Sequence, residues 1–216
     1  MKRMLISFIL AMPVFVSCSG IHEPEPTMSF HLHYEDYQAG MYVNGARFHN
    51  LNDGMEYGFW GHTRDLTVAG EDPIVYISGR LKDMAPMLSK HRYDDRLDVS
   101  FALFVHSSAI KENMELTFTA QEGNLEQLIA SWYDGALTQD IARAVLVDSE
   151  GLEFKVKEGK ISFSNFTVSE SLGNNKEYTF GPASFEFVAE SYKGDILTVT
   201  KGYCKAYKNI QFESEK

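Results

Sequence analysis

The stretch Leu97–Val105, LDVSFALFV, alternates strictly: Leu97, Val99, Phe101, Leu103 and Val105 share one face, while Asp98, Ser100, Ala102 and Phe104 share the other. A helix repeats its faces about every 3.6 residues, so a period of two sustained over this length demands a strand with one buried face. The same alternation recurs along the chain. Met114, Leu116 and Phe118 alternate with Glu115, Thr117 and Thr119. Leu152, Phe154 and Val156 alternate with Glu153, Lys155 and Lys157, after which Glu158-Gly159 reads as a tight turn and Lys160–Val168 as the returning strand. Within that return Ile161 and Phe163 differ in parity from Phe166 and Val168, which predicts a bulge near Ser164-Asn165.

Further strands are expected at Ser29–Tyr34, at Met41–Val43 and Ala46–His49 around an Asn44-Gly45 turn, and at Tyr57–His62 and Ile74–Leu81. Ala144–Asp148, Tyr178–Gly181, Ala183–Glu190 and Asp195–Tyr207 complete the set. Short strands joined by Gly, Asn and Asp turns imply an all-β fold, an antiparallel β-sandwich or open barrel. One segment departs from this rule. Asn124 can cap a helix, with Gln127 closing a capping box, and Leu125, Leu128, Ile129 and Trp132 recur at helical spacing until Gly135. A second helical turn at Thr138–Arg143 is expected before the strand, giving one or two short helices around 124–143 that cover an open end or edge of the sheet.

The start of the chain carries an address. Lys2 and Arg3 precede an apolar run, Met4–Val16, too short for the ~20 residues of a membrane-spanning helix. A positive start, a short apolar middle and small residues at the end describe a secretory signal peptide over 1–17. The residues Phe15-Val16-Ser17-Cys18 resemble a bacterial lipobox, with Phe15 where leucine is usual, so Cys18 is expected to be lipidated and to head the mature chain. An ordinary signal peptide with an incidental cysteine is the plainer reading. Acylation at Cys18 would anchor the protein stably, because several chains bind where one is marginal. Residues 18–27, with Pro24 and Pro26, then form a flexible tether, and 28–216 a single antiparallel β domain. Cys204, the other cysteine, is expected as a buried thiol, and no cysteine-based metal or redox site can be built.

Charge excludes some partners. The chain carries 20 Lys and Arg against 30 Asp and Glu, a formal net charge of −10. Removing Lys2 and Arg3 with the leader makes it −12. Phosphate backbones would repel such a domain, so nucleic acid is not an expected partner. Catalytic signatures are absent too: the sequence has no Gly-x-Ser-x-Gly, no phosphate-binding Gly-rich loop and no His-Glu-x-x-His. A non-enzymatic protein without a cofactor is the expectation.

Three constellations stand out. In HLHYED, His31 and His33 share a strand face with Glu35, beside Asp36, a spacing that offers two imidazoles and a carboxylate to a metal; a polar outer strand face is the alternative. In EYGFWGHTRD, Tyr57, Phe59, Trp60 and His62 lie among glycines, with Arg64 and Asp65 behind. Aromatic faces there can stack on a sugar ring while His62 and Arg64 meet its hydroxyls, although core packing claims one parity, and Trp60 is the preferred platform. In HRYDDRLD, Asp94, Asp95 and Asp98 alternate with Arg92 and Arg96, matching no EF-hand and reading as a solvated, ion-paired loop or a polar binding edge.

The phrases MYVNGARF, VYISGRLKD and ASFEFVAESYKGDILTVTKGYCKAY resemble uncharacterised Gram-negative lipobox lipoproteins. The resemblance covers about a third of the chain in scattered pieces. It implies an all-β domain at the cell envelope and carries no activity with it; Ser19 after the cysteine fits sorting to the outer membrane, with the domain facing either the periplasm or the surface. The expected function is therefore a lipid-anchored binding or adhesion module for a glycan or a protein partner. A lipocalin-like carrier of a small hydrophobic ligand is the alternative, requiring a hollow interior. A polysaccharide-active enzyme is the third reading, requiring two carboxylates about 5–10 Å apart in a cleft.

Overall fold

The structure, a computed structural model, describes residues 39–50, 57–62, 72–87, 95–120, 124–164, 167–170, 176–179, 182–205 and 209–211. Asn44-Gly45 turns the first hairpin, β1 (Ala39–Val43) to β2 (Ala46–Asn50), as the sequence suggests. Asn44 adopts φ 49° and its side chain accepts the Thr198 N–H at 2.9 Å, which ties the turn to a neighbouring strand. Then follow β3 (Tyr57–His62), β4 (Ile74–Pro86), β5 (Leu97–His106) and β6 (Met114–Thr119). The helix α1 (Leu125–Tyr133) precedes β7 (Ile141–Asp148) and β8 (Glu153–Phe163). A small sheet of β9 (Thr167–Glu170), β10 (Lys176–Thr179) and β13 (Asn209–Gln211) stands apart from β11 (Ala183–Ser191) and β12 (Ile196–Cys204).

Eight strands close into a ring, in the order β1-β2-β4-β5-β7-β8-β11-β12 and back to β1, with every pairing antiparallel. The all-β antiparallel class expected from the alternation holds, but the barrel is closed rather than open. β3 and β6 are additions, riding on β4 and β8. Two seams are thin, β2 against β4 and β7 against β8, at three residue pairs each.

The barrel has no lumen where its aromatic side chains meet. Phe101 of β5 lies 5.1 Å from the ring of Phe185 on β11, although those strands are at least three places apart around the ring. Phe59 of β3 packs on Phe101 at 5.3 Å and edge-on to Phe163 of β8 at 5.1 Å. Phe118 meets Phe187 edge-on at 5.8 Å. Strand glycines make room for these rings. Gly79 pairs with Phe59 on one side and Phe101 on the other, Gly159 with Phe118 and Phe187, and Gly202 with Phe185. A Cβ on Gly79 would come within 2.4 Å of the Phe59 ring.

Three expectations are corrected by the strand and helix positions. Glu158-Gly159 is not a turn: β8 runs unbroken from Glu153 to Phe163. Val188 pairs with Glu158 and Ala189 with Val156, so Lys157 is an extra residue and the strand bulges. That bulge lets Phe154 and Val156 on one parity, and Ile161 and Phe163 on the other, all face the core. The second bulge, expected at Ser164-Asn165, involves a residue outside the described set.

The second helical turn at Thr138–Arg143 is absent, because β7 already begins at Ile141. Asp140 accepts the His106 backbone N–H at 2.8 Å and starts β7 in register beside β5. α1 is the α-helix found among the described residues, and its capping box is formed by Asn124 and Gln127 as read. It covers neither an open end nor an edge. Trp132 packs with Ile74, Ala102, Phe104 and Ile141 on the outer face of β4, β5 and β7, and its indole N–H donates to the Ile74 carbonyl at 2.6 Å.

Replacing Gly79 with Ala should lower stability by about 1–3 kcal/mol through overpacking. Adding Phe59→Leu should recover part of that loss, so a double-mutant cycle in urea unfolding should give a favourable coupling. Additive losses would mean that the Gly79–Phe59 approach does not govern packing here.

Candidate binding face

β3 places its side chains alternately. Phe59 enters the core, and half-buried Tyr57 packs against that same core, whereas Trp60 and His62 lie on the outer face. Tyr57 is therefore not on the face that Trp60 and His62 share. Arg64 lies outside the described residues, as do His31, His33 and Glu35 of the expected metal cluster and Cys18 of the expected anchor.

Register builds the outer face. His62, Tyr76, Phe104 and Ile141 form one cross-strand row, and Trp60, Ser78, Ala102 and Arg143 form the next. The rings in the first row stack: His62 on Tyr76 at 4.9 Å and 22°, and Tyr76 on Phe104 at 4.8 Å and 13°. Trp132 closes against Tyr76 at 5.5 Å. His62 Nε2 lies 2.9 Å from the Ser78 hydroxyl, which fixes the imidazole plane over Tyr76. Burial raises the Tyr76 pKa, opposed by the positive charge of Arg80, so the phenol stays a neutral donor and acceptor. The row thus runs from a buried Phe104 to an exposed His62, with half-buried Trp60 one step along the strand, about 7 Å away.

Such a surface offers flat apolar rings flanked by hydroxyl and imidazole groups, held by strand pairing rather than by loops. Trp60 and His62 were legible as a pair from the alternation of β3. Tyr76 and Trp132 were not singled out. The strand Ile74–Leu81 already carried the parity that sets Tyr76 outward, but only the β3–β4 register brings it beneath His62.

The charged run HRYDDRLD turns out to shape the fold at the described positions. Arg96 Nη1 reaches Asp83 Oδ1 at 2.7 Å, and Asp98 Oδ1 accepts the Asp83 backbone N–H at 2.8 Å. Asp83 has φ 54° and sits in a bulge between Leu81 and Met84. Before that bulge β4 pairs with β3; after it β4 pairs with β2. The carboxylates thus pin the corner at which one strand changes partners, and among the described residues no group of three or more His, Cys, Asp or Glu is arranged to hold a metal.

Cys204 is fully buried, and burial pushes its thiol pKa up to about 12, so it is an inert part of the core. No family profile, curated protein or solved structure matches this chain.

Replacing Asp98 with Ala should remove the acceptor that holds the Asp83 corner and lower stability by about 1–3 kcal/mol. Thermal or urea unfolding checks this. An unchanged midpoint would show that Arg96 suffices to hold the bulge.

Proposed function

We propose that this protein is a non-enzymatic, lipid-anchored envelope protein whose β domain binds glycans through the outer face bearing Trp60, His62 and Tyr76. The observation that carries the reading is the His62–Tyr76–Phe104 stack, a ring row that starts in the core and ends at an exposed edge beside Trp60. Pyranose rings present C–H faces to such platforms, and the Ser78 and His62 polar groups lie within the same two cross-strand rows.

The packed interior supports a binding module over a carrier. Phe101, Phe185 and Phe187 meet across the barrel where a carried ligand would have to sit. Anchoring at Cys18 and the resemblance to lipobox lipoproteins supply the envelope location.

A protein partner is the second reading, favoured by the β11–β12 hairpin tip. Tyr192 is 83% exposed and Ile196 60% exposed there. Ser191 holds the tip by accepting the N–H groups of Lys193 at 3.2 Å and Asp195 at 3.1 Å. A rigid, apolar tip presents contact area at little ordering cost.

Trp60→Ala should weaken binding to soluble oligosaccharides by about tenfold or more, ~1.4 kcal/mol, in titration calorimetry, with little change in melting temperature. Undiminished glycan binding would move the site to the hairpin tip, and a large drop in melting temperature would assign Trp60 to the core. Cys18→Ser should shift the full-length protein from the membrane to the soluble fraction. Retention after a carbonate wash would overturn the anchor.

A further inference from the structure

Charge is unevenly spread on the outer face around Trp60. One row along from Trp60, the residues Gly58, Arg80, Ser100 and Val145 face one another across β3, β4, β5 and β7. Together with the Trp60 and His62 rows, these positions hold Arg80 and Arg143 and no Asp or Glu. That is a marked departure for a chain with 30 Asp and Glu against 20 Lys and Arg.

Arg80 is the member of this group that the fold leaves unused. It is exposed, and among the described residues no carboxylate pairs with it. Elsewhere the cations are spent: Arg96 on Asp83, Lys157 on Glu190, and Lys160 on Glu115 and Glu186. Asp98, the acid diagonal to Arg80 on β5, has its Oδ1 engaged by the Asp83 N–H at 2.8 Å.

The surroundings of Arg80 give it room and bring it to the ring platform. Gly58 stands directly opposite without a side chain, and a Cβ there would meet no atom within 4 Å. Trp60 is the diagonal neighbour, at about 7–8 Å between backbones, which long and aromatic side chains span. The positive charge of Arg80 is also felt at Tyr76, the ring beneath His62. The exposed hydroxyl of Ser100 lies across the sheet on the other side of Arg80. A pyranose resting on Trp60 therefore has a free guanidinium at its rim, and the planar guanidinium fork matches a planar carboxylate with two parallel hydrogen bonds.

We propose that the glycan recognised on this face is acidic, a uronic acid whose ring stacks on Trp60 and whose carboxylate accepts hydrogen bonds from Arg80, with the Ser100 hydroxyl as a further donor. This inference rests on the Trp60 reading above and names its ligand class. The net charge of the chain, −10, would by itself repel such a ligand, so a preference for the acid has to be local. Salt screening over about 8 Å lets a contact pair outweigh the distant acids.

The test compares trigalacturonate and triglucuronate with their methyl esters, which keep the sugar frame and remove only the charge. Titration calorimetry on the full-length protein should show one or both acids binding about fivefold tighter than the ester, the scale of an exposed ion pair. Arg80→Gln should bring acid and ester to equal affinity, and its melting temperature should stay that of the parent because Arg80 holds no partner in the fold. Raising the salt to about 0.5 M should shrink the preference in the parent without needing any variant. Equal binding of acid and ester by the parent, binding of neutral sugars alone, or a preference that survives in folded Arg80→Gln would overturn the inference and leave the Trp60 platform standing. Loss of all sugar binding, charged and neutral, would remove that platform, and this inference with it.

Discussion

Everything in this fold depends on aromatic rings being allowed to lie across strand backbones. Three strand glycines, Gly79, Gly159 and Gly202, are flanked in register by Phe59 and Phe101, by Phe118 and Phe187, and by Phe185. A Cβ at Gly202 would stand 2.2 Å from the Phe185 ring, and one at Gly159 would stand 2.5 Å from Phe187. Removing the side chain from one residue lets its neighbour's ring fold down over the gap, and rings from opposing walls can then meet near the barrel axis. Gly159 does a second job: its φ of 139° is open to glycine and strained for other residues, and it sits just past the bulge that turns Ile161 and Phe163 inward.

A filled barrel sends chemistry outside. With the Phe101 group occupying the centre, exposed apolar surface comes from the outward parities, and among the described residues β5 carries a partly apolar one. On β5 the outward residues change character along the strand: Asp98 and Ser100 face water or the Asp83 corner, whereas Ala102 and Phe104 are buried. α1 covers that second half, and Tyr76, between the helix and His62, carries the apolar surface out to the edge. The helix thus does more than shield Phe104. Ending one residue past Trp132, it leaves Tyr76 half-buried.

Much of this was legible in the chain. Strict alternation gave β5 and β6, the Asn-Gly pair gave the first hairpin, and an Asn with Gln three residues on gave the helix start. Errors arose where two signals share one spelling. Glu158-Gly159 spells a turn, yet the parity change from Val156 to Ile161 is equally the mark of a bulge, and only the pairing of β8 with both β6 and β11 decides it. A helical turn is expected at Thr138–Arg143, but Asp140 is claimed by His106 across the sheet. The alternation places the end of β4 at Leu81. In the fold a charged corner carries the strand on to Pro86. The outer face is similar: Trp60 and His62 are neighbours in sequence, whereas Tyr76 joins them only through register and Trp132 only through the packing of α1.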